Sequence, residues 1–174
     1  MRKDPDLRES FEKIKSPNIL VIGDLMLDHY SWGEVDRISP EAPIPVMRVL
    51  REDQRLGGAG NVVMNLTALG AEVSVCGVTG KDETGEIINK LLAENEVDRS
   101  GVIVSENHKS CLKHRMIAGQ THLLRMDIDP DPDTDFPQNQ LIEYLQEKVP
   151  NCDAAIVSDY GKGLLSSYVL NELA

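Results

Sequence analysis

The chain has 174 residues, of which 41% are hydrophobic and 27% are charged, a composition typical of a soluble globular protein rather than a disordered one. Its formal net charge of −11 disfavours nucleic acid as a main partner, because a phosphate backbone attracts basic surfaces. No apolar run approaches the roughly 18 residues that span a membrane, and residues 1–15 lack the apolar centre of a signal peptide.

Cysteine usage indicates a reducing compartment. Cys76, Cys111 and Cys152 lie far apart without a CxxC pair, which argues against a disulfide scaffold and against a common zinc site. We therefore expect a cytoplasmic protein. The histidines also lack the spacing of metal ligands, so we predict no metal site and expect surface or lid roles for them. They are His29, His108, His114 and His122.

Apolar strands alternate with amphipathic helices along most of the chain. A short helix is predicted at 6–15, within an N-terminal extension over 1–17, ahead of a main domain at 18–174. Runs that are apolar on both faces predict buried parallel strands, and a period near 3.6 predicts helices. The alternation therefore predicts an α/β fold built from βαβ units, with a mostly parallel sheet. The strands are predicted at 19–22, 72–77 and 154–157, and the helices at 59–69, 82–95, 138–148 and 164–173.

The ends of the helix at 82–95 carry recognisable signals. Asp82 is a plausible N-cap, and Asn95 is expected to close the helix in a left-handed conformation. The glycine-punctuated segment at 77–85 is therefore interpreted as a structural turn from strand to helix.

Two stretches break this rhythm and predict a small antiparallel sheet beside the main one. The first, over 29–51, contains strand-like runs at 29–35 and 45–51. The second, over 110–129, splits at 118–120 into a hairpin. In its second arm Leu124, Met126 and Ile128 face one way, and Arg125, Asp127 and Asp129 the other. A Pro- and Asp-rich surface loop is predicted at 129–137.

Carboxylates follow two of the predicted buried strands. In open α/β sheets, ligands bind beyond the carboxyl ends of the strands. Asp24 comes directly after the first strand and Asp28 four residues later, where two carboxylates can accept hydrogen bonds from vicinal hydroxyls. A helix cap or a loop salt bridge explains these acids equally well. Asp159 and Lys162 follow the strand at 154–157, beside two glycines, and there a functional role is favoured.

A glycine-rich turn leads directly into the helix at 59–69. Gly57 and Gly58 allow a ligand to approach the backbone, and the helix start offers free N–H groups. Asn61 could present a donor and an acceptor to a hydroxyl ligand. The alternative is a purely structural turn, in which the glycines only allow tight packing of the helix. If this motif were the only evidence, the structural interpretation would be preferred. Because the pattern is neither GxGxxG after a strand nor a P-loop, a dinucleotide-dependent oxidoreductase is disfavoured.

Three cations lie on the predicted hairpin, namely Lys113, Arg115 and Arg125. A solvated face is the default interpretation, and a clamp for a substrate phosphate is the alternative.

Several segments together resemble a known family. Gly57-Gly58-Ala59-Gly60-Asn61, with its continuation to Gly85, is similar to the first signature of the ribokinase/PfkB carbohydrate kinases. Residues 21–28, 37–46, 122–127 and 158–163 resemble the heptose 7-phosphate kinase domains of bacterial ADP-heptose synthases.

This resemblance implies a ribokinase-like fold, in which a Rossmann-type, mostly parallel sheet has helices on both faces and a small β-sheet lid. It also implies an ATP- and Mg²⁺-dependent sugar kinase. The implied reaction transfers phosphate to O1 of D-glycero-β-D-manno-heptose 7-phosphate, in the synthesis of ADP-heptose for the lipopolysaccharide core. A homodimer, formed through the lid or through the C-terminal part of the fold, is also implied.

Position by position, the resemblance implies that Asp24 and Asp28 hold sugar hydroxyls. The glycine turn and Asn61 would line the sugar site, and Arg125 and Lys162 are candidates for the phosphate and the rim of the site. The complete set of substrate-binding candidates is Asp24, Asp28, Gly57, Gly58, Asn61, Arg125, Asp159 and Lys162.

The family's N-x-x-E and G-A-G-D segments have no counterpart before Ala174. In the family they supply the catalytic aspartate, the anion hole and the nucleotide site, and phosphoryl transfer depends on such positioning. We therefore expect an N-terminal portion of a kinase domain, with no catalytic residue of its own, no tight binding of ATP or Mg²⁺, and no activity alone. A non-catalytic sugar-binding or dimerisation fragment is the alternative. The sugar itself stays open, with ribose or an unphosphorylated hexose as alternatives.

Overall fold

The computed structural model describes residues 16–131 and 137–173. The helix predicted at 6–15 and part of the loop predicted at 129–137 lie outside the described residues. Within the described ranges, no helix is both long and apolar enough to cross a bilayer.

Strands and helices follow one another in the order predicted for an α/β protein. The strands are β1 (Asn18–Gly23), β2 (Leu25–Ile38), β3 (Pro45–Gly58), β4 (Glu72–Gly80), β5 (Asp98–Ser105), β6 (Cys111–Ala118), β7 (Thr121–Ile128) and β8 (Ala154–Ser158). The helices are α1 (Ala59–Ala68), α2 (Glu83–Glu94), α3 (Gln138–Lys148) and α4 (Ser167–Leu173), with a 3₁₀ turn at Val149–Asn151.

The main sheet has the order β5-β4-β1-β8, and every neighbouring pair is parallel. Side chains of β1 alternate between its two faces because successive residues of a strand point in opposite directions. Val21 packs in a core with residues of α1 and α2, whereas Leu20 and Ile22 pack in a second core with residues of α3 and α4. The prediction of a mostly parallel sheet with helices on both faces is therefore confirmed.

The second sheet has the order β3-β2-β6-β7 and is called the lid below. β2 pairs with β3 and β6 with β7 in antiparallel fashion, but β2 pairs with β6 in parallel. The prediction of a small antiparallel sheet is confirmed for two of the three pairs and wrong for β2 with β6. That pair is parallel because α1, β4, α2 and β5 intervene between β3 and β6 and return the chain in the same direction. Only Asp24 separates β1 from β2, so the lid leaves directly from the centre of the main sheet.

Several elements differ locally from the prediction. β5 lies outside the predicted strands, and β2 and β3 are longer than their predicted runs. Asn95 is not left-handed, with φ −102°, and the left-handed residue after α2 is Glu96, with φ 57°. The Asp82 cap is confirmed, since its carboxylate accepts a hydrogen bond of 2.8 Å from the Gly85 amide. The last helix begins at Ser167 rather than at 164.

Candidate functional site

Asp24 lies where three elements meet. Its amide donates to the carbonyl of Ser158 at the end of β8, at 3.2 Å, and its carbonyl accepts from the Ala59 amide at the start of α1, at 3.0 Å. The side chain is only 6% exposed. One carboxylate oxygen accepts hydrogen bonds from the amides of Tyr160, at 2.8 Å, and Lys162, at 3.1 Å. Asp24 therefore fixes the turn after β8 against the start of the lid and the start of α1.

The glycine turn brings the backbone of β3 close to Asp24 and Asp28. Gly58 has φ 56°, in the left-handed region that favours glycine, and a Cβ there would collide with the Asp24 carbonyl. A Cβ on Gly57 would collide with the Asp28 carboxylate. Because α1 has no side-chain cap on Gly58 and no acidic residue in its first turn, its N-terminal amides are not neutralised by a carboxylate of the helix.

A cleft of about 670 Å³ lies between the start of α1 and the lid. Its walls combine cations, a carboxylate, amides, aromatic rings and apolar side chains. The lining residues are Met26, Asp28, Tyr30, Gln54, Arg55, Leu56, Gly58, Asn61, Met64, Leu91, Asn95, Lys113, Arg115 and Tyr160. A mixed surface of this kind suits a small polar ligand, because its polar groups can form hydrogen bonds while its carbon skeleton packs against the apolar side chains.

The register of the lid explains why charged groups meet in the cleft. In the parallel pair of β2 and β6, Asp28 lies opposite Lys113, and Tyr30 lies opposite Arg115. Residues two apart on a strand share a face, so all four side chains point to the same side of the lid. The two strands are far apart in the sequence, and the juxtaposition arises only from the crossover connection.

Arg115 is the best-anchored cation of the cleft. Its guanidinium forms a hydrogen-bonded ion pair with Asp28 and lies 5.1 Å from the centroid of the Tyr30 ring. Burial lowers the pKa of Arg115, but the hydrogen bond to Asp28 and the nearby negative charges together outweigh burial and hold the pKa above its usual value. The Arg55 guanidinium lies 5.7 Å from the centroid of the same ring. The cleft thus carries fixed positive charge, and each of its three cations is paired with a carboxylate.

The structure brings together some of the predicted site residues and separates others. Asp28, Gly58 and Asn61 line the cleft, and Gly57 directly supports Asp28. Asp24 lies behind the cleft wall and reaches it through the amide of Tyr160.

The remaining three candidates do not line the cleft and have local partners. Arg125 is 57% exposed and forms a bidentate pair with Asp127, at 2.9 and 3.0 Å. Lys162 pairs with Asp129 at 2.8 Å. The Asp159 carboxylate accepts from the Gly161 amide at 2.8 Å, as in a turn.

Sequence reasoning misses several residues of the cleft. Tyr30 and Arg55 belong to no recognised pattern, and Tyr160 lies in the matched segment 158–163 but is not a predicted site residue. Lys113 and Arg115 are predicted only as cations of a solvated face or of a phosphate clamp, and the structure places both in the cleft. The one usable signal is strand alternation, which puts Lys113 and Arg115 on one face of β6.

Comparison with known proteins agrees with this architecture. Residues 16–172 match the model of the pfkB family of carbohydrate kinases. Bifunctional protein HldE of Desulfatibacillum aliphaticivorans is 44% identical over 160 residues, which cover 91% of this chain and 33% of that relative. Bifunctional protein HldE of Helicobacter hepaticus is 47% identical over 153 residues, covering 87% and 32%. The chain thus spans about a third of the length of these relatives.

Solved structures share the fold at low sequence identity. A carbohydrate kinase from Agrobacterium tumefaciens superposes with a TM-score of 0.62 and 18% identity, covering 81% of this chain and 45% of that one. Arabidopsis thaliana ribokinase complexed with ribose and ATP gives a TM-score of 0.58 and 14% identity, covering 82% and 45%. The ribokinase-like fold expected from the sequence is confirmed, and the chain belongs to the pfkB family of carbohydrate kinases.

Proposed function

We propose that this chain forms the sugar-binding part of a sugar kinase and that the sugar carries a phosphate. The substrate that we propose is D-glycero-β-D-manno-heptose 7-phosphate, phosphorylated at O1 with ATP as the donor. The observation that supports this most directly is the cleft in which the Asp28 carboxylate and the Arg115 guanidinium lie side by side on the inner face of the lid.

Each component of the cleft has a role in this proposal. The carboxylate of Asp28 accepts hydrogen bonds from sugar hydroxyls. The side-chain amide of Asn61 can both donate hydrogen bonds to them and accept hydrogen bonds from them. The start of α1, which has no side-chain cap, and the close approach allowed by Gly58 admit the polar edge of the sugar. Arg115, Lys113 and Arg55 supply the positive charge that a phosphate monoester requires.

The lid supports a second part of the proposal, a homodimer. Leu124, Met126 and Ile128 are exposed on the face of the lid that points away from the cleft, with 56%, 41% and 38% of their surface accessible. Contiguous exposed apolar side chains of this kind mark interaction surfaces. A second copy of the lid is the partner that we propose for this face.

ATP and Mg²⁺ are implied by the family, but the described residues do not fit a Mg²⁺ site. Among residues 16–131 and 137–173, the cluster of three candidate metal ligands contains two histidines and one glutamate. Mg²⁺ prefers oxygen ligands and retained waters, so this nitrogen-rich set does not suit it. We assign no step to the nucleotide or Mg²⁺, and we propose that the chain alone is inactive. Saturable phosphate transfer from ATP by the chain alone would exclude the proposed inactivity. It would also exclude the alternative of a non-catalytic fragment.

Replacing Arg115 by methionine should weaken the binding of heptose 7-phosphate about 10- to 100-fold, because a charge-assisted hydrogen bond is worth about 1.5–3 kcal/mol. Binding of the unphosphorylated heptose should weaken much less. Both dissociation constants can be measured by calorimetric titration at high ligand concentration.

Arg48→Met provides the matched control, since Arg48 lies on the same sheet in an exposed pair with Glu34. It should leave both affinities unchanged. Equal losses for the two sugars in Arg115→Met would contradict a phosphate-binding role for Arg115. Failure of the original chain to bind either sugar would contradict the proposed function itself.

A further inference from the structure

Three side chains with metal-binding atoms meet on the outer face of the lid. His29 lies on β2, Glu52 on β3 and His114 on β6, which are adjacent strands of the sheet. One ligand atom from each lies within 4.8 Å of the others. His29 and His114 are direct partners in the parallel register, and their rings stack with centroids 4.1 Å apart at an angle of 4°.

One of the three separations matches that between two ligands of a tetrahedral ion. With metal–ligand bonds of about 2.0–2.1 Å, two ligands of one tetrahedral zinc ion lie about 3.3 Å apart. The distance between His29 Nε2 and Glu52 Oε1 is 3.3 Å. His114 Nε2 lies 2.7 Å from the hydroxyl of Ser31, whose oxygen also lies 2.9 Å from Glu52 Oε1. The three donors thus lie close together around the Ser31 hydroxyl.

One donor of this cluster has an unmet bonding capacity. His29 Nε2 is buried and forms no hydrogen bond to any of the described residues, although the Glu52 carboxylate is near. A buried polar nitrogen without a hydrogen bond costs free energy, and native structures rarely retain one without a reason. Ser31, which is only 2% exposed, can donate its single proton to Glu52 or to His114 but not to both. An ion at this point would satisfy His29 and leave Ser31 to orient Glu52.

We propose that His29, Glu52 and His114 bind one divalent transition metal ion of the zinc type. Two imidazole nitrogens and one carboxylate oxygen form a donor set that suits such ions and not Mg²⁺ or Ca²⁺.

The site is separate from the cleft, because its residues alternate with those of the cleft along the strands. His29 lies between Asp28 and Tyr30, and His114 lies between Lys113 and Arg115. Successive residues of a strand face opposite sides, so the metal would lie on the outer face of the lid. There it would cross-link three strands and stabilise the lid, without touching the sugar. No sequence pattern indicates this site, because its ligands come from three strands and lie far apart in the chain.

Titration of the purified chain with Zn²⁺, and with Co²⁺ as a spectroscopic probe, tests this inference. We expect saturable binding of one equivalent, visible absorption bands of Co²⁺ with nitrogen ligands, and a rise in the melting temperature. His114→Asn and His29→Asn should each weaken Zn²⁺ binding at least about 100-fold, beyond the 10- to 100-fold that loss of an outer-shell partner costs. His122→Asn, on the neighbouring strand β7, should leave the affinity unchanged.

Glu52→Gln keeps the experiment interpretable if a histidine variant fails to fold. Its side chain is 56% exposed, so this variant should retain the circular dichroism of the original chain while its Zn²⁺ affinity falls. Absence of saturable Zn²⁺ binding at micromolar concentrations would overturn the inference. So would an affinity that His29→Asn, Glu52→Gln and His114→Asn leave unchanged. Neither result would bear on sugar binding, which uses the opposite face of the lid.

Discussion

Replacing Asp24 by alanine should lower the free energy of unfolding by about 2–4 kcal/mol, because two hydrogen bonds to a buried carboxylate are lost together. The amides of Tyr160 and Lys162 would lose their acceptor, and the turn after β8 would separate from the start of the lid. Sugar affinity should fall below detection, since Tyr160 forms part of the cleft wall. Urea denaturation and calorimetric titration measure the two effects.

Two variants separate the role of Asp24 from a general effect of removing a carboxylate. Asp153 also accepts a hydrogen bond from a backbone amide, that of Asn18 at 2.8 Å, but it lies in an exposed position. Asp153→Ala should therefore cost much less stability and leave sugar binding intact. Asp24→Asn keeps one acceptor oxygen, so its loss of stability should lie between those of Asp24→Ala and Asp153→Ala. Equal midpoints of urea denaturation for Asp24→Ala and Asp153→Ala would contradict the structural role assigned to Asp24.

Gly57→Ala should abolish most sugar binding although it adds only one methyl group. The new Cβ would collide with the Asp28 carboxylate and would lie 3.0 Å from the side chain of Met26. Asp28 would have to turn away from the cleft and from Arg115. We expect a loss of at least about tenfold in sugar affinity and about 1–3 kcal/mol in stability, which is typical of overpacking.

The control for this variant is a glycine whose replacement strains the backbone without a collision. Gly119 has φ 58° in the turn between β6 and β7, and no atom lies within 4 Å of the position that a Cβ would take there. Gly119→Ala should lose stability but keep its sugar affinity. In a double-mutant cycle, Asp28→Ala should relieve part of the stability cost of Gly57→Ala. Strictly additive stability losses would show that Asp28 is not the group that Gly57 accommodates.

The main sheet could be predicted because its strands are apolar on both faces. The side chains of Leu20, Val21 and Ile22 are all buried, and such an unbroken apolar run is typical of a strand that is covered on both faces. β5 is harder to recognise because Asp98, Arg99 and Ser100 at its start are polar. The lid strands have largely exposed surfaces, so hydrophobic periodicity does not determine their length or their direction.

Residues of the candidate site could be predicted where the signal is local in sequence. Asp24 and Asp28 follow a strand, and Gly57 and Gly58 precede a helix, so both signals are carried by neighbouring residues. Lys113 and Arg115 reach Asp28 and Tyr30 only through the parallel pairing of β2 with β6. Arg125 is a reasonable candidate by charge, but Asp127, two residues further along β7, already pairs with it.

One cleft, between the glycine turn at the start of α1 and the inner face of the lid, should bind the phosphorylated sugar. Amide NMR during titration with heptose 7-phosphate follows each part of that cleft separately. Residues 57–61, Asp28 and Arg115 should shift together along one saturable curve. Shifts confined to the surroundings of Arg125 and Lys162, with the glycine turn unchanged, would show that the sugar binds elsewhere.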